Sequence, residues 1–149
     1  MDPLTTAGLA ISAARITIES IKATNAFIDR WHGAPDTIAT SKVFLDCTQG
    51  AVESLRSTIE IGSRNAQTAD TIDDAVRTSN ILAIFQRTQS VCDGFNKTVA
   101  RLSQNSRRGK FSKLGKFATA MSEPELQRFQ QQLSDCQSSI RLALGVFDR

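Results

Sequence analysis

Residues 122–147 read SEPELQRFQQQLSDCQSSIRLALGVF, and this stretch decides the fold class. Leu126, Phe129, Leu133, Cys136, Ile140, Ala143 and Phe147 step by three and four without a break. Because 3.6 residues complete a helical turn, that spacing puts all seven on one apolar stripe. Ser122 and Glu125 form a capping box ahead of the stripe. Pro124 falls in the first turn, where its missing N–H costs nothing. The stretch predicts one helix to about Phe147, apolar on one face only, which therefore needs helical neighbours to cover it.

The same pattern extends upstream. Phe111, Leu114 and Phe117 alternate with Lys110, Lys113 and Lys116, which predicts a short amphipathic helix over 110–120. Ser103 to Gly109 is polar and basic and reads as a loop. From about Ala69 to Leu102, Ile81, Ile84, Val91, Phe95 and Leu102 make one stripe and Leu82, Phe85, Cys92 and Val99 a second. Gly94 is the place where this segment would bend or divide. Asp70, Asp73 and Asp74 open it, favourably placed for the partial positive charge of a helix N-terminus, with Thr68 as the cap. Ile38, Leu45, Val52, Leu55 and Ile59 predict a helix from Pro35-Asp36 to about Asn65, with Phe44, Cys47 and Ala51 beside the stripe. The first helix runs from about Pro3 to Trp31 and ends at His32-Gly33-Ala34-Pro35. It carries two stripes: Leu4, Ala7, Ile11, Ala14, Ile18, Ile21 and Ile28, then Leu9, Ile16, Ala23, Phe27 and Trp31. Two stripes require two neighbours, or one neighbour and a surface from outside the chain.

Four long helices, a short amphipathic one before the last and short connections predict an all-α antiparallel bundle. The chain has 149 residues, 40% of them hydrophobic, which fits a single domain over 1–149. Eleven Gly and Pro together, no Tyr and no strand-like alternation argue against an all-β fold.

Chemistry is sparse. The lone His32 has no nucleophile at useful spacing, and Glu53, Glu60, Asp73 and Asp74 read as solvated carboxylates. Cys47, Cys92 and Cys136 lie 45 and 44 residues apart, which suits neither a disulfide framework nor a zinc site. Their apolar surroundings predict three buried free thiols in an intracellular protein. Gly109 to Phe117 fails as a phosphate loop: the glycines are one residue too far apart, and Phe117 stands where Ser or Thr must meet magnesium. Asn96-Lys97-Thr98 is a glycosylation sequon within a helical pattern and carries no weight. The expectation is a non-enzymatic protein with no cofactor, no metal and no small-molecule substrate.

Charge is uneven. The net charge is +3, yet residues 1–100 carry nine Lys/Arg against eleven Asp/Glu, while 101–149 carry nine against four. Six basic residues between Arg101 and Phe117 meet no acid. Such a cluster attracts phosphate-rich partners. Phe111 and Phe117 fall on the face away from the lysines, so they cannot stack bases within a basic groove, and nucleic acid is not expected. The charge-free run from Pro3 to Ala14 is too short to span a bilayer, and no basic region precedes it as in a secretory signal.

Met1-Asp2-Pro3-Leu4, running into an Ala/Gly/Ile helix, resembles the start of fungal STAND (NOD-like receptor) proteins. Ser90-Val91-Cys92-Asp93-Gly94-Phe95 is similar to their central helix, and Lys110 to Phe117 to their basic aromatic helix. Leu133 to Leu144 is similar to their closing helix. The resemblance covers most of the chain, least across 35–75. It implies a HeLo-like bundle at the N-terminus of an immune-type receptor, normally followed by a nucleotide-binding domain. It further implies a signalling or cell-death effector of the kind tied to programmed cell death and heterokaryon incompatibility, acting by oligomerisation and membrane association. The executioner domain of the animal necroptosis pseudokinase is an analogue. On that reading Arg107, Arg108, Lys110, Lys113 and Lys116 are lipid-headgroup candidates and Leu4, Leu9, Ile11, Ile16 and Ile18 membrane-insertion candidates. The protein would be cytoplasmic with recruitment to the plasma membrane. Arg15, Glu19, Lys22, Asp29 and Arg30 depart from a fully lipid-seeking first helix and confine that role to its first half. The alternative is a non-lytic helical module that oligomerises or docks a protein partner.

Overall fold

Every long stripe becomes a helix. The computed structural model describes residues 5–30, 36–108 and 123–147. Helix α1 spans Thr6–Arg30, α2 Asp36–Arg64, α3 Ala69–Thr78, α4 Ile81–Arg108 and α5 Glu123–Phe147. The expected helix over 110–120, the turn at His32 and the Ser122 cap lie outside the described residues.

Two boundaries differ from the sequence reading. The 69–102 segment is two helices, divided at Ser79-Asn80 and not at Gly94. Asn80 takes the left-handed conformation at φ 57°, which Asn tolerates better than most residues. Its carbonyl accepts the Ile84 N–H and so starts α4. Gly94 serves packing instead: a Cβ there would stand 3.1 Å from the Phe129 ring. The second difference is at Ser103–Arg108, which continues α4 and is not a loop. A basic last turn complements the partial negative charge of a helix C-terminus, so basic composition did not require the helix to end. Thr68 does sit at the N-cap of α3, but its hydroxyl donates to the Gly62 carbonyl, 2.7 Å away, and closes the end of α2.

Cross-helix hydrogen bonds fix the directions. Asn25 donates to Asp46 (2.9 Å) and Lys42 pairs with Asp29, so α1 and α2 are antiparallel. Thr98 and Arg101 both reach Glu125 while Gly94 meets Phe129, so α4 and α5 are antiparallel. In contrast, Thr17 donates to the Phe85 carbonyl and Ser20 to Asp93, an α1–α4 contact that runs parallel. Gln130 donates to Ser41 and Gln137 to Thr48, making α2–α5 parallel as well. The expected helical bundle is present: successive long helices alternate in direction, and of the four lateral seams α1–α2 and α4–α5 are antiparallel while α1–α4 and α2–α5 are parallel. Helix α3 makes this topology by carrying the chain diagonally from α2 to α4 across one end of the bundle, where it touches all four long helices.

The core has two apolar halves. Ala7, Ile11, Ile18, Leu55, Ile59, Val76, Phe85 and Ile140 fill the half near α3. Ile21, Leu45, Phe95, Leu126 and Leu133 fill the other, where Phe95 meets Phe129 edge to face. Between them lies a polar waist of Thr17, Thr48, Thr88 and Gln137. Thr48 and Thr88 donate to the carbonyl four residues back, inside their own helices, while Thr17 shares its hydroxyl hydrogen between the Ala13 and Phe85 carbonyls. Gln137 instead crosses to α2, donating to the Phe44 carbonyl (3.1 Å) and to Thr48 (3.0 Å). A buried amide that must find these partners fixes the α2–α5 register, since any slip leaves it unpaired.

Helix α3 also holds the start of α1. The Asp73 carboxylate accepts the Ala7 backbone N–H at 3.0 Å, and the Thr5 hydroxyl accepts that of Gly8. Arg77 pairs with Asp73 from one turn on. Replacing Asp73 with Ala removes a cap supplied from another helix and costs about 0.5–2 kcal/mol. Hydrogen exchange should show faster opening of the first turn of α1, with α5 unaffected.

Candidate functional site

Over the first five turns of α1 its two stripes face opposite ways. Ile11 and Ile18 are buried in the core, whereas Leu9 and Ile16 are each 48% exposed. Over that length bundle contacts with α2, α3 and α4 use the first stripe while Leu9, Ile16 and Ala23 face solvent; farther along, Phe27 of the second stripe packs against the core half of Ile21 and Leu45. Of the five membrane-insertion candidates, two are thus presented by the folded bundle, two are core residues, and Leu4 lies outside the described residues. Arg107 and Arg108 fall in the last turn of α4, while Lys110, Lys113 and Lys116 lie outside the described residues.

The α4–α5 seam carries a second surface. It is closed at Gly94–Phe129 and at Thr98–Glu125. Toward α3 it opens into two adjoining hollows of about 220 and 280 Å³ that share Ile84 and Ser139. Leu142 and Val146 form one wall, 76% and 45% exposed. Arg87 and Cys136 stand at the inner end. Leu142 belongs to no three-four stripe, and Arg87 looks like any solvated cation in the sequence. Their juxtaposition depends on two helices far apart in the chain.

The thiols divide. Cys92 and Cys136 are buried, as expected, but Cys47 is exposed, which corrects the reading of three buried thiols. The core line of α2 runs through Leu45, Thr48 and Val52. Cys47 is two residues from Leu45, on the far side of the helix. A thiol reagent should label Cys47 in the native protein within the time that leaves Cys92 and Cys136 untouched, and denaturant should equalise all three. Burial pushes the Cys92 thiol up from its ordinary 9.0 to about 12, with neighbouring Cys136 and Asp93 adding to the effect. Below about pH 9 that proton is held in both folded and unfolded chains. Above it the unfolded chain releases the proton first, so stability falls as pH rises from about 9 toward 12.

Among the described residues no group of three or more His, Cys, Asp and Glu side chains is placed to hold a metal. No described helix is long and apolar enough to cross a membrane. Comparison with protein-family models, curated proteins and solved structures finds no match to this chain. Among the described residues, Leu9 and Ile16 on α1 and the α4–α5 groove are the paired exposed apolar surfaces.

Proposed function

We propose that this bundle is a non-enzymatic signalling module of the HeLo-like kind, acting by self-association and by association with an anionic membrane surface. The observation that supports it is the exposed pair Leu9 and Ile16 on a helix that packs Ala7, Ile11, Ala14, Ile18, Ile21 and Ile28 into the core. Such a pair is an apolar contact held in reserve on the solvent side of the helix. The basic residues Arg107, Arg108, Lys110, Lys113 and Lys116 supply long-range attraction, each worth about 1 kcal/mol near an anionic surface. Ile11 and Ile18 join the contact only after α1 leaves the bundle, which requires breaking the Asp73–Ala7 bond. Membrane entry therefore follows a trigger, and recruitment precedes it.

Vesicle co-sedimentation tests recruitment. Wild type should bind anionic vesicles weakly and lose that binding as salt rises. A variant with all five basic residues changed to Ala should not bind, and neutral vesicles should recover neither protein. Equal recovery of wild type on neutral and anionic vesicles would contradict the electrostatic step.

The second reading, a non-lytic interaction module, is favoured by the α4–α5 groove, which offers an apolar wall and a cation without needing α1 to move.

A further inference from the structure

The outer stripe of α1 and the α4–α5 groove match in length, polarity and charge. Leu9, Ile16 and Glu19 share one face of α1, being seven and three residues apart. Leu9 and Glu19 are ten residues apart, which is about 15 Å at 1.5 Å per residue. In the groove, Arg87 stands level with Cys136, and Val146 lies ten residues farther along α5, again about 15 Å. Ile84 sits one turn before Arg87, as Ile16 sits one turn before Glu19. Glu19 and Arg87 are both exposed, and neither has an ion-pair partner among the described residues. Six large apolar side chains are notably exposed in the described residues, and four of them, Leu9, Ile16, Leu142 and Val146, belong to these two surfaces. Both surfaces ride on packed helices at different corners of the bundle, so one chain cannot bring them together.

We infer that the stripe of one copy seats in the groove of the next, with Ile16 against Ile84, Leu9 against Leu142 and Val146, and Glu19 paired with Arg87. The inference rests on the self-association part of the proposed function and names its interface. The contact is heterologous: each added copy buries one stripe and one groove and leaves one of each free. Assembly therefore continues into a ring or a filament and does not stop at a two-fold dimer. A covered stripe cannot also touch lipid, so within an assembly only an end copy presents Leu9 and Ile16.

Sedimentation velocity over a concentration series of the full chain tests this, with E19R, R87E, their equimolar mixture and the double variant. Melting temperature confirms that these exposed substitutions leave the fold intact. Wild type should grow past the dimer as concentration rises. Each single reversal places like charges together and should weaken association on the order of tenfold or more. The mixture restores opposite charges at every contact, as does the double variant, so both should recover assembly. Leu142→Ser should weaken assembly with no charge change. If wild type associates but E19R matches it, or the mixture fails to recover, the interface is wrong and self-association stands. A closed dimer overturns the heterologous contact. A wild-type monomer at every concentration overturns the interface and self-association together, whatever the vesicles show.

Discussion

Replacement of Ile140 by Asp lowers the melting temperature by roughly 10–20 °C, or abolishes the folded state. Ile140 is 0% exposed and lies in the core half near α3 with Leu55, Phe85 and Ile59. Truncation alone at such a site costs about 2–5 kcal/mol, through lost burial and the cavity left behind. The carboxylate adds the penalty of a buried polar group with no partner among these apolar neighbours. Domains of this kind are stable by only about 5–15 kcal/mol, so one such change consumes much of the margin. Thermal unfolding followed by circular dichroism reads it directly. A melting temperature unchanged from wild type would show that α5 does not close the core.

Phe85→Ala should cost about 3–5 kcal/mol without adding any charge. Phe85 is fully buried beside the waist, and its carbonyl accepts the Thr17 hydroxyl at 3.2 Å. Removing the ring leaves a cavity between α1 and α4, whose backbones stay tied by that bond. Leu133→Ala, in the other core half, is the companion measurement. The two lie in different clusters with the polar waist between them, so their costs should add to within about 0.5 kcal/mol in the double variant. Strong non-additivity would show that the halves respond as one packed unit.

The two halves also show what the sequence could and could not convey. The α5 stripe was legible because every position from Leu126 to Phe147 obeys one period, and Leu126, Leu133 and Ile140 are fully buried. The α2 stripe was equally plain, with Ile38, Leu45, Val52, Leu55 and Ile59 all inaccessible. The α3–α4 division was hidden because Thr78, Ser79 and Asn80 include neither Gly nor Pro, while Gly94 drew attention to itself. Asn80 turns the chain by a conformation that residue type merely permits. Lateral order was hidden for a different reason. Periodicity shows which side of a helix is apolar, not which neighbour it meets. The parallel α2–α5 seam depends on Gln137 reaching Thr48 and Phe44, three helices back in the chain.

The candidate site was half legible. Two stripes on α1 were visible, but which one faced the core was not, because both are built from similar aliphatic residues. The small residues mark the packed side: Ala7, Ala10 and Ala14 are buried with Ile11 and Ile18. The groove was not legible at all, since Arg87 and Val146 come to line one groove only after the chain has folded.

The central proposal is that the outer stripe of α1 serves self-association and that, once association is triggered, the end copy whose stripe stays free enters the membrane. Dye release from anionic vesicles, measured while the domain is driven to associate through a fused inducible dimeriser, tests it most directly. Wild type should release dye on induction and not before, and a Leu9→Ser, Ile16→Ser variant of unchanged melting temperature should release none. Induced wild type that leaves the vesicles intact would contradict the account, as would a variant that leaks as fast as wild type.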